Sequence, residues 1–179
     1  MNRMIDATLH ALNACTKGKR AKVCILMSRE FRLAKEVAKA GHRLVLVGDK
    51  FRPLYRFATE NQPYNPALTI EARYHELPLD TEAFDVLIVA RPMPRGSDIG
   101  AELARLKTHI KSQGTIMWYH PVYKGLLGRI RRAFAHKWYR LERHVLCKTA
   151  MENGFQQIGQ TLVRGRRSSR LVLTKAVVP

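Results

Sequence analysis

KVCILMSREFRLAKEVAKAGHRLVLVGD, residues Lys22 to Asp49, is the stretch on which the fold turns. Val23–Met27 is a short apolar run, and Leu44–Val47 is a second. Between them lies a segment that alternates apolar and charged residues with a helical period. Two short apolar runs on either side of an amphipathic helix predict a β-α-β unit with parallel strands. Units of this kind commonly carry a glycine-rich turn after the first strand, where a nucleotide can lie against the backbone. Here that turn reads Met27-Ser28-Arg29-Glu30-Phe31 and contains no glycine.

The same alternation of strand and helix continues outward. Phe51–Ala58 predicts a short helix, and Leu68–Tyr74 a strand. Phe84–Ala90 (FDVLIVA) is the most apolar run and fits a central parallel strand covered on both faces. Ile99–Lys111 predicts a helix with Ile99, Leu103, Leu106 and Ile110 on one face, stopped by Gly114. Thr115–Tyr119 follows as a strand. Residues 123–151 carry the clearest helical period, with Tyr123, Leu127, Ile130, Phe134, Trp138, Leu141 and Val145 on one stripe and arginines on another. At 1.5 Å per residue such a helix would span on the order of 40 Å. Gly154 caps it. Residues 155–177 read as a terminal hairpin, with strands Phe155–Val163 and Leu171–Val177 around the tip Arg164–Arg170. Residues 1–20 supply an N-terminal amphipathic helix with Met4, Ile5, Leu9 and Leu12 on one side. The expected fold is a single α/β domain over 1–179, with a mostly parallel sheet and an antiparallel C-terminal hairpin.

Composition narrows the function classes. The chain has 179 residues and 46% hydrophobic content, enough for one folded domain with a core. No apolar run reaches the roughly 20 residues of a membrane span. The N-terminal stretch lacks the unbroken apolar core of a secretory signal. Cys15, Cys24 and Cys147 are far apart and odd in number, which argues against a disulfide framework or zinc site and fits a cytoplasmic protein. The net charge is +18, and it is lopsided. Residues 1–102 carry 16 Lys+Arg against 12 Asp+Glu, a net of +4; residues 103–179 carry 16 against 2, a net of +14. So basic a half-molecule repels itself unless an anion neutralises it. RNA, DNA, an anionic membrane surface or an acidic protein would serve.

Four strings, taken in order, carry a resemblance. They are AKAGHRLVLVGD, HELPLDTEAFDVLIV, GAELARLKTHIKSQGTIMWY and MENGFQQIGQ. Together they resemble the class I S-adenosylmethionine-dependent methyltransferase family, in particular its type 11 group, over about residues 21 to 177. The resemblance implies a Rossmann-like methyltransferase fold and a cradle for S-adenosylmethionine. It places Met27, Arg29 and Phe31 where the family's three turn glycines stand, and any Cβ there intrudes on the cofactor. It places Gly48 where an acid holds the ribose hydroxyls, with Asp49 one residue late and a weak substitute. It places Arg73 where an acid meets the adenine amino group, a role arginine cannot take because it has no acceptor.

The remaining chemistry is sparse. His136 and His144 have no cysteine or carboxylate in a ligand pattern, so no metal site is expected. Ser28 has no GxSxG around it. His75 and Glu76 are adjacent and could act as a base, though ordinary loop residues is the simpler reading. No catalytic residue is assigned. The leading expectation is a degenerate, non-catalytic methyltransferase-fold protein without a cofactor, docked in a larger assembly or oligomer through its basic half. The polyanion-binding residues expected are Arg129, Arg131, Arg132, Lys137, Arg140 and Arg143 on the long helix, with Arg164, Arg166, Arg167 and Arg170 at the hairpin tip. The alternatives are a divergent S-adenosylmethionine-dependent methyltransferase and a protein peripheral at a membrane, held by the basic amphipathic helix.

Overall fold

The β-α-β unit forms as its periodicity predicts. In the computed structural model β1 (Lys22–Leu26) and β2 (Arg43–Gly48) lie side by side in parallel, with α2 (Phe31–Lys39) between them in the chain. The structure describes residues 3–26, 31–61, 68–72, 77–90, 98–122, 143–164 and 170–179. The other described elements are α1 (Arg3–Thr16), α3 (Phe51–Asn61), β3 (Leu68–Glu71), β4 (Phe84–Val89), α4 (Ile99–Lys107), β5 (Ile110–Val122), α5 (Arg143–Glu152), β6 (Gln156–Arg164) and β7 (Arg170–Val177).

All seven described strands join one sheet in the order β3-β2-β1-β4-β5-β7-β6. The first five pair in parallel; β7 runs antiparallel to both β5 and β6. The expected α/β class, parallel sheet and antiparallel terminal hairpin are all present. Side chains of successive strand residues fall on opposite faces, and the core divides accordingly. Val23, Ile25, Leu44, Leu46, Val86 and Ile88 pack with Leu12 of α1, Leu33 and Val37 of α2, and Leu54 and Phe57 of α3. Cys24, Leu26, Val45, Val47, Leu87 and Val89 pack on the other face with Leu103 and Leu106 of α4 and Leu146 and Ala150 of α5. Helices on both faces explain why β1, β2 and β4 read as continuous apolar runs.

Helix α1 is fixed to the sheet by more than its apolar side. The hydroxyls of Thr8 and Tyr119 are hydrogen-bonded, both buried, and Thr8 Oγ1 also donates to the Met4 carbonyl at 2.7 Å. At the other end of the fold, Gly154 adopts φ +74° after α5. Its N–H reaches the Met151 carbonyl at 2.9 Å, and the Phe155 N–H reaches Ala150 at 3.0 Å. These are the two bonds of a Schellman cap, as expected for this glycine.

Two expectations about the segment from 99 to 119 are corrected. Helix α4 ends at Lys107, not Lys111, and Gly114 does not stop it. The carbonyls of Thr108 and His109 are drawn to the start of β4, accepting from Glu82 N at 2.8 Å and from Ala83 N and Phe84 N at 3.1 Å. Those bonds turn the chain, so β5 begins at Ile110 and is longer than the expected Thr115–Tyr119. Gly114 instead sits within β5 at a register slip against β4. A Cβ there would lie 2.5 Å from Ile110 Cγ2, 2.8 Å from the Lys111 carbonyl oxygen and 3.1 Å from that of Asp85. Close backbone approach, not helix termination, is what demands glycine. Of the expected long helix, α5 is the described part; residues 123–142 lie outside the described residues, as do 165–169 at the hairpin tip. Among the described residues no helix is long and apolar enough to cross a membrane.

Candidate functional site

In an open parallel sheet, ligands gather at the carboxyl ends of the strands where the strand order reverses direction. Here that place is the end of β1, flanked by β2 on one side and β4 on the other. The Leu26 carbonyl accepts from Ala90 N at 3.3 Å, and the Gly48 carbonyl accepts from Ala72 N at 3.0 Å, so the ends of β1 and β2 are tied to the residues that follow β4 and β3. Residues Met27–Glu30 and Arg73–Glu76 lie outside the described residues. The described edge of the site is therefore Phe31, Gly48, Asp49 and the first turns of α3.

Phe31 opens α2, and its ring stacks on Phe57 of α3, with centroids 5.6 Å apart and planes at 29°. Gly48 ends β2 fully within the fold, and a Cβ built on it would meet Leu54 Cδ2 at 3.2 Å. Asp49 follows it, exposed, in the bend that leads to α3. Beside these residues Phe31, Arg52, Pro53, Arg56, Phe57 and Glu60 line a groove of about 450 Å³ between α2 and α3. Arg56 Nε donates to Glu60 Oε1 at 2.7 Å along its rim. On the same helix Phe51 and Tyr55 stack with centroids 5.7 Å apart and are 61% and 60% exposed.

The sheet order 3-2-1-4-5-7-6, with three helices on one face and two described on the other, now has a match. The fold is that of the class I S-adenosylmethionine-dependent methyltransferases. The magnesium protoporphyrin IX methyltransferase of Synechocystis, solved with S-adenosylhomocysteine, is similar over 98% of this chain and 82% of its own, with a TM-score of 0.74 and 16% identity. The N-methyltransferase NodS of Bradyrhizobium japonicum is similar over 98% of this chain and 97% of its own, with a TM-score of 0.73 and 11% identity. The geranyl diphosphate C-methyltransferase of Streptomyces coelicolor, solved with Mg2+, geranyl diphosphate and S-adenosyl-L-homocysteine, is similar over 98% of this chain and 82% of its own, with a TM-score of 0.69 and 13% identity. No family model matches the sequence, and no curated protein matches it.

S-adenosylmethionine, the group this fold family holds, can be tested against the described residues. The methyltransferase cradle needs an open turn after β1, which lies outside the described residues, and a carboxylate at the ribose position at the end of β2, where the resemblance places Gly48. At the ribose position Gly48 has no carboxylate, and its Cα surface is covered by Leu54. At the third glycine position stands Phe31, whose ring is engaged with Phe57. Asp49 is the one carboxylate at the end of β2.

The residues expected to meet a polyanion are placed only in part. Arg143 begins α5, Arg164 ends β6 and Arg170 begins β7. Arg164 and Arg170 are opposite each other in register, and Arg170 in turn pairs with Val122 at the end of β5. The hairpin thus carries both arginines to the same edge of the sheet as the candidate site. Arg129, Arg131, Arg132, Lys137, Arg140, Arg166 and Arg167 lie outside the described residues. Among the described residues no group of three His, Cys, Asp or Glu side chains could hold a metal. Sequence reasoning missed Leu54 and Phe57 altogether. A local signal was present in part, since Leu54 and Phe57 are three apart on one face of a short helix, but nothing local says that this face closes on Gly48.

Proposed function

We propose that this chain is a methyltransferase-fold protein that has given up the usual cofactor cradle and acts by docking its basic C-terminal half on a polyanion within a larger assembly. The observation that carries the first half is Leu54 packed against Gly48 at the end of β2. In a working cradle that place belongs to an acid aimed at the ribose; here it belongs to the core of α3. The stack of Phe31 on Phe57 supports the same reading. The docking half rests on charge: 16 Lys+Arg against 2 Asp+Glu in residues 103–179. Arg164 and Arg170, opposite each other in the hairpin register, support this reading. Arginine's planar fork suits phosphate.

A second reading, a divergent S-adenosylmethionine-dependent methyltransferase, is favoured by Asp49, an exposed carboxylate one residue beyond Gly48. Calorimetry with S-adenosylmethionine and S-adenosylhomocysteine separates the two. Micromolar binding of either would overturn the closed cradle and leave the enzyme reading standing; no heat at millimolar ligand is the expected result. For docking, binding to RNA, DNA and anionic liposomes is measured against salt. Affinity should fall steeply as salt rises, because each phosphate contact releases counterions. The Arg131→Glu, Arg132→Glu, Arg167→Glu triple variant should lose it. A flat salt response, or no binding at low salt, removes the docking claim, and binding confined to liposomes would point to the membrane surface.

A further inference from the structure

We propose that a polar cleft at the opposite edge of the sheet, between the end of α1 and the starts of β4 and β5, is a binding site for a small phosphate-bearing ligand. Cys15 and Thr16 of α1, Lys19 and Arg20 of the following turn, Asp85 of β4 and Lys111–Thr115 of β5 line it. Its volume is about 320 Å³, at the small end of the roughly 300–1,000 Å³ typical of ligand sites.

The charge in the cleft is unbalanced. Its ionisable cations are Lys19, Arg20 and Lys111, and its one carboxylate is Asp85. That carboxylate is engaged on both oxygens. Oδ1 accepts from Lys111 Nζ at 2.8 Å, and Oδ2 accepts from the Lys22 backbone N–H at 2.7 Å. Burial opposes its ionisation, but the bonds from Lys111 and Lys22 and the charges of both lysines outweigh that and hold it below its ordinary value. Lys19 and Arg20 are exposed and have no carboxylate partner among the described residues. Lys19 and Arg20 are therefore left facing a cavity in which the one carboxylate among the described lining side chains is already taken, and the lining Ser112 hydroxyl is turned to the Pro179 oxygen at 3.1 Å.

The cleft is also built with care on both walls. On one side the chain leaves α1 through two left-handed residues, Lys17 at φ 52° and Gly18 at φ 70°. Gly18 N donates to the Asn13 carbonyl at 3.1 Å and Lys19 N to that of Thr16 at 3.0 Å, which fixes Lys19 and Arg20 at the mouth. The carbonyl end of a helix disfavours an anion; of the last four carbonyls of α1, those of Asn13 and Thr16 are occupied by the Gly18 and Lys19 N–H groups. The Cys15 thiol and the Thr16 hydroxyl both donate to Leu12, at 3.1 and 2.9 Å. On the other side the register slip between β4 and β5 brings Lys111 over Asp85. That slip requires Gly114 and holds Gln113 at φ 62°, an unfavourable geometry for a residue with a Cβ. Gln113 N donates to the Val178 carbonyl and Val178 N to that of Gly114, each at 2.9 Å, so the slip is locked in place. Bulges that re-aim side chains recur beside binding sites. A compact phosphate or pyrophosphate anion matches an arginine fork, a lysine ammonium and a cavity too small for a long chain of phosphates.

The test is calorimetry on the full chain at fixed ionic strength, with inorganic pyrophosphate as the probe and adenosine monophosphate and adenosine as further arms. Pyrophosphate should bind one to one and slow alkylation of Cys15 but not of Cys147. The Lys19→Glu, Arg20→Glu double variant, both positions exposed, should weaken it at least tenfold with an unchanged circular dichroism spectrum. Asp85→Asn should bind at least as tightly as the parent, and the Arg131→Glu, Arg132→Glu, Arg167→Glu variant should bind equally well. Tighter binding of the monophosphate than of pyrophosphate, with none of adenosine, would identify a nucleotide as the source of the phosphate; the reverse order would identify the free anion. No binding of either phosphate overturns the proposal. So does binding that survives the double charge reversal, or that disappears equally in the C-terminal triple variant.

Discussion

Leu54 of α3 closes over the Cα of Gly48 at the end of β2, at a distance that would put an added Cβ 3.2 Å from Leu54 Cδ2. The contact joins two core elements at the carboxyl end of β2, and under the proposed reading it closes the cofactor cradle. Restoring an acid there should therefore fail. Gly48→Asp would bring a carboxylate into a site beside a leucine that is 4% exposed. It should lower stability by about 2–4 kcal/mol, as burial of an unpaired charge does. Urea unfolding measures this, and the variant should still show no calorimetric binding of S-adenosylhomocysteine. Gly48→Ala is the milder control, expected to cost about 1 kcal/mol because the flexible Leu54 side chain gives way.

Gly114→Ala should be far worse than Gly48→Ala. The added methyl would meet two backbone carbonyl oxygens as well as Ile110 Cγ2, and backbone cannot move aside without breaking the β4–β5 register. A loss of about 3 kcal/mol or more is expected, within the range of severe overpacking. A thermal midpoint within a few degrees of the parent would show that the slip is softer than its geometry.

Tyr119→Phe and Thr8→Val test how α1 is held. Each removes one partner of the buried hydroxyl pair between β5 and α1. Tyr119→Phe leaves Thr8 its bond to Met4 and should cost about 1 kcal/mol. Thr8→Val leaves the Tyr119 hydroxyl with only a 3.4 Å contact to the Met4 carbonyl, so it should cost more. Hydrogen exchange should report the loss first in Arg3–Thr16.

Stability should fall on acidification in two steps. His42 is buried, its Nδ1 accepts the Ala21 N–H at 3.2 Å, and burial lowers its pKa from 6.5. The unfolded chain then binds the proton more readily, so stability is complete above about pH 6.5 and declines below it. Asp85 is lowered from 3.8, opposed by burial but driven by Lys111 and Lys22. Its contribution is present above about pH 4 and lost as pH falls through the folded value. Urea midpoints from pH 7 to 2 should show both. His42→Gln should flatten the upper step and Asp85→Asn the lower one. The Asp85 step should shrink in 1 M salt, since its ion pair is half exposed.

The strand runs and helix periods were legible because they are local. Apolar runs at β1, β2 and β4 and the glycine after α5 needed only neighbouring residues to be read, and they lie close to where they were expected. The end of α4 was not legible. It is set by carbonyls of Thr108 and His109 bonding to Glu82, Ala83 and Phe84, more than twenty residues back in the chain. Met27, Arg29, Phe31 and Gly48, at the positions where the resemblance expects glycines and an acid, were visible in the sequence. The packing of Leu54 on Gly48 and of Phe31 on Phe57 was not.

By itself the sequence determined the α/β alternation, the basic C-terminal half and the absence of the usual glycine turn, because composition and period are properties of the chain alone. Only the tertiary structure decided that Leu54 covers Gly48, that Phe31 stacks on Phe57, and that Lys111 meets Asp85 beside Lys19 and Arg20. Each of those contacts joins residues from different elements. Sheet order and helix packing bring them together, and no local pattern encodes the distance between them.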